Sequence, residues 1–134
     1  MFFDDNKVTA EAPTATGTST IDSAAYDCAG YDEITFVVRL GSPAANNNIR
    51  LRQCSTSGGT YNDIQGTLVQ DNAKNQHMVT LKRPGKEFIQ CRVTRGTTTT
   101  IDSLVAIQSG ARIRPVTQPT SVFEQWIGPP EGTA

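Results

Sequence analysis

Histidine is almost absent from this chain, and its scarcity excludes much of the chemistry that small β-rich domains perform. The single histidine among the 134 residues is His77, and no partner follows it at the spacing of a metal site. No serine lies in a Gly-x-Ser-x-Gly turn and His77 has no candidate partner nearby, which argues against a Ser/His/Asp triad. We interpret His77 as an ordinary surface or edge residue. The sequence therefore predicts no catalytic residue, no bound metal and no cofactor.

The chain also lacks an excess of charge of either sign and any long apolar run. Its 12 basic and 13 acidic residues give a formal net charge of −1, so no general field attracts nucleic acid or an anionic membrane. No stretch approaches the length of a membrane span, and the opening MFFDD lacks the basic start and apolar middle of a signal peptide. We expect a protein that is made and kept in a cytoplasm-like compartment, with neither nucleic acid nor a membrane as partner.

The chain contains only three cysteines, an odd number. Cys28, Cys54 and Cys91 each lie in or beside a predicted strand. This placement fits small buried hydrophobic residues better than a disulfide framework. We therefore predict reduced, structural cysteines, as is usual in a reducing compartment.

Short β-branched segments separated by turn residues are what the chain has in abundance. We predict strands at residues 33–40, 49–54, 60–64, 67–69, 77–82, 87–95 and 101–110. Gly58 and Gly59 predict a hairpin between the second and third of these, and Pro84-Gly85 predicts another between the fifth and sixth. Six to eight such strands indicate an all-β fold with a single β-sandwich, for which a jelly roll is the commonest compact form.

Polar segments dotted with proline and threonine lie at both ends of the chain. Residues 1–19 form an N-terminal arm and residues 115–134 a C-terminal arm, because neither shows a strand or helix period long enough to bury itself. The β-sandwich domain then spans residues 20–114, near the lower end of the size at which a domain is stable alone. We expect the arms to become ordered on a partner.

Apolar side chains in the arms are the first candidates for a protein interface. Phe123, Trp126 and Ile127 are spaced so that they can form one apolar patch, and Phe2 and Phe3 offer a second patch. Large aromatic residues contribute on the order of 2 kcal/mol or more each when a partner desolvates them. The alternative for the C-terminal patch is that it folds back onto its own sandwich.

Arginines at alternating positions are the second candidates. Arg50 and Arg52 share one face of the strand at 49–54, and Arg112 and Arg114 repeat the spacing after the last strand. The planar guanidinium can bind a carboxylate of a neighbouring subunit through two hydrogen bonds. A solvated strand face explains the same pattern and is the alternative.

Five segments carry a resemblance to a known class of proteins. They are residues 30–38 (GYDEITFVV), 55–64 (STSGGTYNDI), 82–91 (KRPGKEFIQC), 106–112 (AIQSGAR) and 129–134 (PPEGTA). Together they resemble small virion proteins of tailed bacteriophages that are encoded among the head genes.

The resemblance implies a capsid decoration, or cement, protein with a jelly-roll-like core. Such a protein binds the major capsid protein on the outside of the shell as a symmetric homo-oligomer. Trimers are favoured where decoration sits on local three-fold positions, and dimers are the other possibility. The implied location is the capsid surface, after synthesis in the host cytoplasm.

Two other functions compete with the cement interpretation. A head fibre or carbohydrate-binding module would use exposed aromatic residues, for which Tyr31 and Tyr61 are the candidates, although tyrosines that pack within turns explain them as well. A neck or head-tail completion protein would bind a ring-shaped assembly instead of the shell. The sequence does not separate the cement role from the neck role.

Overall fold

A computed structural model of the chain describes residues 2–120. Within these residues the chain forms one short helix, α1 (Phe2–Asp5), followed by eleven strands. The strands are β1 (Lys7–Glu11), β2 (Thr14–Gly17), β3 (Ile21–Asp22), β4 (Tyr26–Asp27), β5 (Glu33–Leu40), β6 (Asn48–Cys54), β7 (Asn62–Asp63), β8 (Val69–Gln70), β9 (Gln76–Lys82), β10 (Phe88–Thr94) and β11 (Thr99–Ser109).

The strands form two antiparallel sheets that pack together. In the first sheet the order is β1–β11–β5–β9, and β2 also pairs with β11. In the second sheet the order is β3–β10–β6–β7, with β4 paired to β10 and β8 paired to β6. The predicted all-β fold with a β-sandwich is confirmed, and the jelly-roll assignment stays a prediction.

The core lies between the sheets and is filled by the inward rows of β5, β6 and β10. Every second residue of β5 is buried, whereas the residues between them are half-buried or exposed. The side chains without exposed surface include Ile34, Phe36, Val38, Leu40, Ile49, Leu51, Ile89, Cys91 and Val93. Burying one such large side chain contributes roughly 1.5–3 kcal/mol. The alternation therefore fixes which side of each strand faces the opposite sheet.

Several strand predictions are confirmed. The segment at 33–40 is β5, and the segment at 101–110 matches β11 (Thr99–Ser109) except for its last residue. β6 and β7 form the predicted hairpin, with Arg52 opposite Asp63. The three cysteines are free, and Cys28 and Cys91 are buried as predicted, whereas Cys54 is only half-buried. Burial raises the pKa of the Cys28 and Cys91 thiols to about 12, which fits inert structural residues.

The expectation of an arm without strands is wrong for residues 7–17. These residues supply β1 and β2, which pair with β11, and Glu11 accepts a hydrogen bond from the Tyr26 hydroxyl. The buried guanidinium of Arg95 donates to the carbonyl oxygen of Ala15 at 2.9 Å. An edge strand is held by hydrogen bonds along one side and needs no full burial period, so its sequence pattern is weak.

The hairpin predicted at Pro84-Gly85 is also wrong. β9 pairs with β5 in the first sheet, whereas β10 pairs with β6 in the second. Residues 83–87 therefore carry the chain from one sheet to the other. The Arg83 amide donates to the carbonyl oxygen of Asp32 at 2.8 Å, and Arg83 has a positive φ of 51°. Turn residues indicate where the chain changes direction but not which sheet receives the next strand.

Candidate protein-interaction surfaces

The two ends of the described chain meet beside the start of β1. We call this region, residues 2–8 and 111–118, the terminal clasp. The side-chain amide of Gln118 donates to the carbonyl oxygens of Phe3 at 3.1 Å and Asn6 at 2.6 Å. Its Oε1 accepts a hydrogen bond from the backbone amide of Val8 at 2.9 Å. One side chain thus satisfies three backbone groups of the N-terminal segment.

Backbone hydrogen bonds and an ion pair complete the clasp. The amides of Ala111 and Val116 donate to the carbonyl oxygens of Asp5 at 3.2 Å and Asp4 at 3.1 Å. Arg114 Nε lies 2.9 Å from Asp5 Oδ1. Arg114, predicted from the sequence as an interface residue, therefore has an acidic partner in its own chain. An exposed pair of this kind contributes at most about 1 kcal/mol, so the clasp is held mainly by its backbone and Gln118 contacts.

Two large apolar side chains are exposed on the clasp. Phe2 is 53% exposed, and its ring contacts that of the half-buried Phe3 edge-on, with centroids 5.4 Å apart. Ile113 is 85% exposed and is not among the residues predicted from the sequence. The available signal was an isoleucine isolated between two arginines beyond the last strand.

The three aromatic and aliphatic residues predicted as C-terminal anchors, Phe123, Trp126 and Ile127, lie outside the described residues. The undescribed C-terminal segment that carries them begins at residue 121, and only Pro119 and Thr120 separate it from the clasp. Gln118 and Pro119 are half-buried. The last described residues therefore lie beside the clasp.

The outer face of the second sheet carries a network of opposite charges, which includes Arg50 and Arg52. We call Asp22, Arg50, Arg52, Asp63 and Arg92 the charged ladder. Arg92 donates two hydrogen bonds to Asp22, at 2.7 and 2.9 Å, and these hold the pKa of the Asp22 carboxyl below its usual value. Arg52 Nε donates to Asp63 Oδ1 at 3.1 Å, and Arg50 Nε lies 3.6 Å from Asp63 Oδ2. Both predicted interface arginines thus have acidic partners within the chain.

The outer face of the first sheet is apolar at its centre, and we call it the apolar face. The register of the sheet places eight outward side chains side by side: Val8 and Ala10 of β1, Val105 and Ile107 of β11, Thr35 and Val37 of β5, and Met78 and Thr80 of β9. Met78 is 57% exposed. The sequence does not predict this face, because β-branched residues on both sides of a strand are typical of burial on both sides.

A cleft of about 520 Å³ lies between residues 28–32 and 83–87. Its basic side chains are Arg83, Lys86 and Arg112. Arg112, another predicted interface residue, lies 3.7 Å from the exposed carboxylate of Asp32. The long distance and high exposure make this a weak ion pair. Arg112 and Arg114 therefore serve different parts of the molecule, the cleft and the clasp.

Tyr31 and Tyr61, the two candidate residues for sugar binding, lie in different environments. Tyr31 lines the cleft. Tyr61 is buried, and its hydroxyl donates to the carbonyl oxygen of Ser57 at 2.9 Å. Tyr61 thus packs within its own turn, which favours the structural alternative for this residue.

His77 is not the surface residue expected from the sequence. It lies on the edge strand β9 but is only 2% exposed, because the alternation of the strand directs it inward with Val79 and Leu81. Neither of its ring nitrogens has a hydrogen-bond partner among the described residues.

Residues 2–120 contain no group of three His, Cys, Asp or Glu side chains that could hold a metal. This part of the chain also has no helix long and apolar enough to span a membrane.

The chain was compared with known protein families and with curated proteins. No family model matches it. The search of curated proteins likewise finds no match. The functional interpretation therefore depends on the residues and surfaces described above.

Proposed function

We propose that the protein is a non-enzymatic structural protein of a bacteriophage virion, which binds the outside of the capsid and stabilises the shell. The sequence resemblance supplies the class of protein, and the major capsid protein is the partner it implies. The strand order supports the jelly-roll part of the proposal. Each sheet contains a path of four hydrogen-bonded antiparallel strands, β1–β11–β5–β9 and β3–β10–β6–β7, and the short strands β2, β4 and β8 pair beside these paths. A double-sheet jelly roll likewise has eight strands in two sheets.

The terminal clasp is the observation that carries this proposal. It joins the N-terminal segment that carries the exposed Phe2 to residues 111–118, which carry the exposed Ile113. Phe123, Trp126 and Ile127 follow these residues in the sequence. Both ends of the chain can thus contribute to one attachment site. Desolvation of each large anchor by a partner adds on the order of 2 kcal/mol.

The mechanism is adhesive. A protein that contacts neighbouring capsid subunits adds buried interface area, and internal genome pressure must break that area before the shell ruptures. A ligand that binds only the intact assembly stabilises it by about 4 kcal/mol when its free concentration is a thousandfold above the dissociation constant. Shell stabilisation therefore requires no chemistry from the protein.

The test is co-sedimentation of the purified protein with expanded capsid shells that lack it, followed by heating of the loaded particles. We expect saturable binding and a higher rupture temperature. Ile113→Ser and a chain that lacks residues 121–134 should bind more weakly. Leu68→Ser is the matched control, since Leu68 is 56% exposed but lies away from the clasp. Circular dichroism verifies that each variant is folded.

Absence of saturable binding to shells would contradict the cement role. Binding to isolated neck complexes would then identify a head-tail completion protein, and binding in a glycan screen would identify a fibre or adhesion module. Equal loss of binding in Ile113→Ser and Leu68→Ser would show that the clasp is not the attachment site.

A further inference from the structure

The apolar face is unusual for the outside of a sandwich. Antiparallel sheets with one buried face ordinarily alternate apolar inward residues with polar outward residues, as β6 does with Arg50 and Arg52. In the first sheet the outward residues at the centre of β11, Val105 and Ile107, are apolar as well. Four strands about 4.8 Å apart and about 20 Å long give a face of roughly 300–400 Å². Apolar patches of this size on a monomer are often functional.

The apolar face is complementary to a second copy of itself. One register row, Thr9, Ala106, Phe36 and Val79, crosses the sheet from β1 to β9, and the outward residues lie in equal numbers on its two sides. Two copies of the sheet can face each other across a two-fold axis that runs parallel to this row. The axis then places each outward residue of one copy over the residue of the other copy that lies on the opposite side of the row. The resulting pairs are Val105 over Ile107, Val8 over Ala10, Val37 over Thr35 and Met78 over Thr80.

The charged side chains at the two ends of the apolar face are also complementary under this two-fold axis. Glu33 and Arg39 both point outward from β5, three residues before and three residues after Phe36. The two-fold axis places Glu33 of one copy over Arg39 of the other and forms two equivalent ion pairs. Neither residue has an ion-pair partner within residues 2–120. Lys82, which lies opposite Glu33, faces the neutral Gln76 of the other copy, so no like charges meet.

We propose that the apolar face is a two-fold contact through which two copies of this chain pair, with β5 antiparallel to β5 across the interface. The same patch is used on both copies, as a two-fold contact requires. The area per copy is about half of the roughly 800 Å² that each partner buries in a standard interface, so the dimer is weak, with a dissociation constant on the order of micromolar. The inference concerns the chain alone and does not depend on shell binding.

A charge-exchange experiment on the full chain tests the pairing. Sedimentation velocity over about a hundredfold range of concentration should show a reversible monomer–dimer equilibrium. Glu33→Arg and Arg39→Glu each place like charges over one another at two sites and should weaken the dimer about tenfold. The double variant exchanges the charges and should restore the affinity to within about threefold of the unchanged protein. Glu87→Arg, an exposed charge reversal outside the apolar face, is the control and should leave the dimer intact.

Rescue by the double variant supports the pairing, because a purely structural effect of either change would not reverse when both are combined. A protein that stays monomeric at the highest concentration overturns the proposal, as does a trimer or a double variant no better than the single ones. Self-association that depends on residues 121–134 but not on Glu33 and Arg39 also overturns it, since the C-terminal segment would then make the contact. Thermal unfolding of each variant verifies the fold.

Discussion

The outer faces of the two sheets have opposite chemistry, although both belong to one sandwich and share one core. Across the second sheet, hydrogen bonds of 2.7–3.1 Å pair Arg92 with Asp22 and Arg52 with Asp63 in the charged ladder. An ion pair of 3.8 Å between Arg52 and Asp22 connects the two pairs. Across the first sheet the corresponding positions are occupied by valine, isoleucine, alanine, threonine and methionine. The difference indicates that one face is suited to water and the other to a protein surface.

The physical reason lies in the cost of removing each face from water. The charges of the ladder are already paired, so a partner that covered them would have to desolvate them with little new interaction in return. Covering the apolar face carries no such penalty and gains about 25 cal/mol for each Å² of apolar surface removed from water. Association is therefore expected on the first sheet.

The largest effect should come from placing a charge at the centre of the apolar face. We predict that Ile107→Asp weakens self-association about a hundredfold or more, because each copy would bury a carboxylate against Val105 of the other. Sedimentation velocity measures the change. Thr94→Asp, on the outward side of β10 in the second sheet, is the control. If both substitutions had the same effect, the two faces would not differ in the way described.

The sequence predicts the core better than the surfaces. The run at β5 marks a strand because Ile34, Phe36, Val38 and Leu40 recur with the period of the pleat. The edge strands β1 and β2 were missed, because their stability comes from pairing with β11. Such pairing between distant segments leaves no local signal.

The candidate surfaces depend even more on contacts between distant residues. Gln118 binds backbone groups 110 to 115 residues earlier in the chain, and nothing in its own neighbourhood indicates this. The arginines at 50 and 52 were recognised as one strand face, but their partners come from β3 and β7. The apolar face becomes visible only when the register of four strands is known.

An intermediate effect is expected from removing one charge of the ladder. Asp22→Asn leaves the guanidinium of Arg92 without its carboxylate, and we predict a loss of about 1 kcal/mol in the free energy of unfolding at neutral pH. Urea unfolding followed by circular dichroism measures it. Self-association should not change, because the ladder lies on the other face. A weaker dimer in this variant would contradict the separation of roles between the two faces.

The stability difference between Asp22→Asn and the unchanged protein should depend on pH, and the lowered pKa of Asp22 fixes the direction of that dependence. The hydrogen bonds from Arg92 lower the pKa of Asp22 in the folded protein, so the carboxylate stabilises the fold at pH values above its unfolded pKa near 3.8. This stabilisation is lost as the pH falls through the lowered folded pKa. Asp22→Asn should therefore be less stable than the unchanged protein at pH 7 and equally stable at the acid end of a titration of unfolding free energy. A difference that persisted unchanged into acid would show that the substitution acts through shape and not through charge.

The smallest effect should come from an isosteric change on the apolar face. Val37→Thr replaces a methyl group by a hydroxyl, which in the proposed pairing lies over Thr35 of the other copy. Because the two hydroxyls can share a hydrogen bond, most of the burial penalty is offset, and we predict a loss of affinity of only about threefold. Sedimentation equilibrium resolves a change of this size when Val116→Thr, a half-buried position on the clasp, is measured beside it as the control. A loss of affinity as large as that of Ile107→Asp would mean that Val37 faces an apolar group of the other copy. The two copies would then pair about an axis that does not run along the row through Phe36.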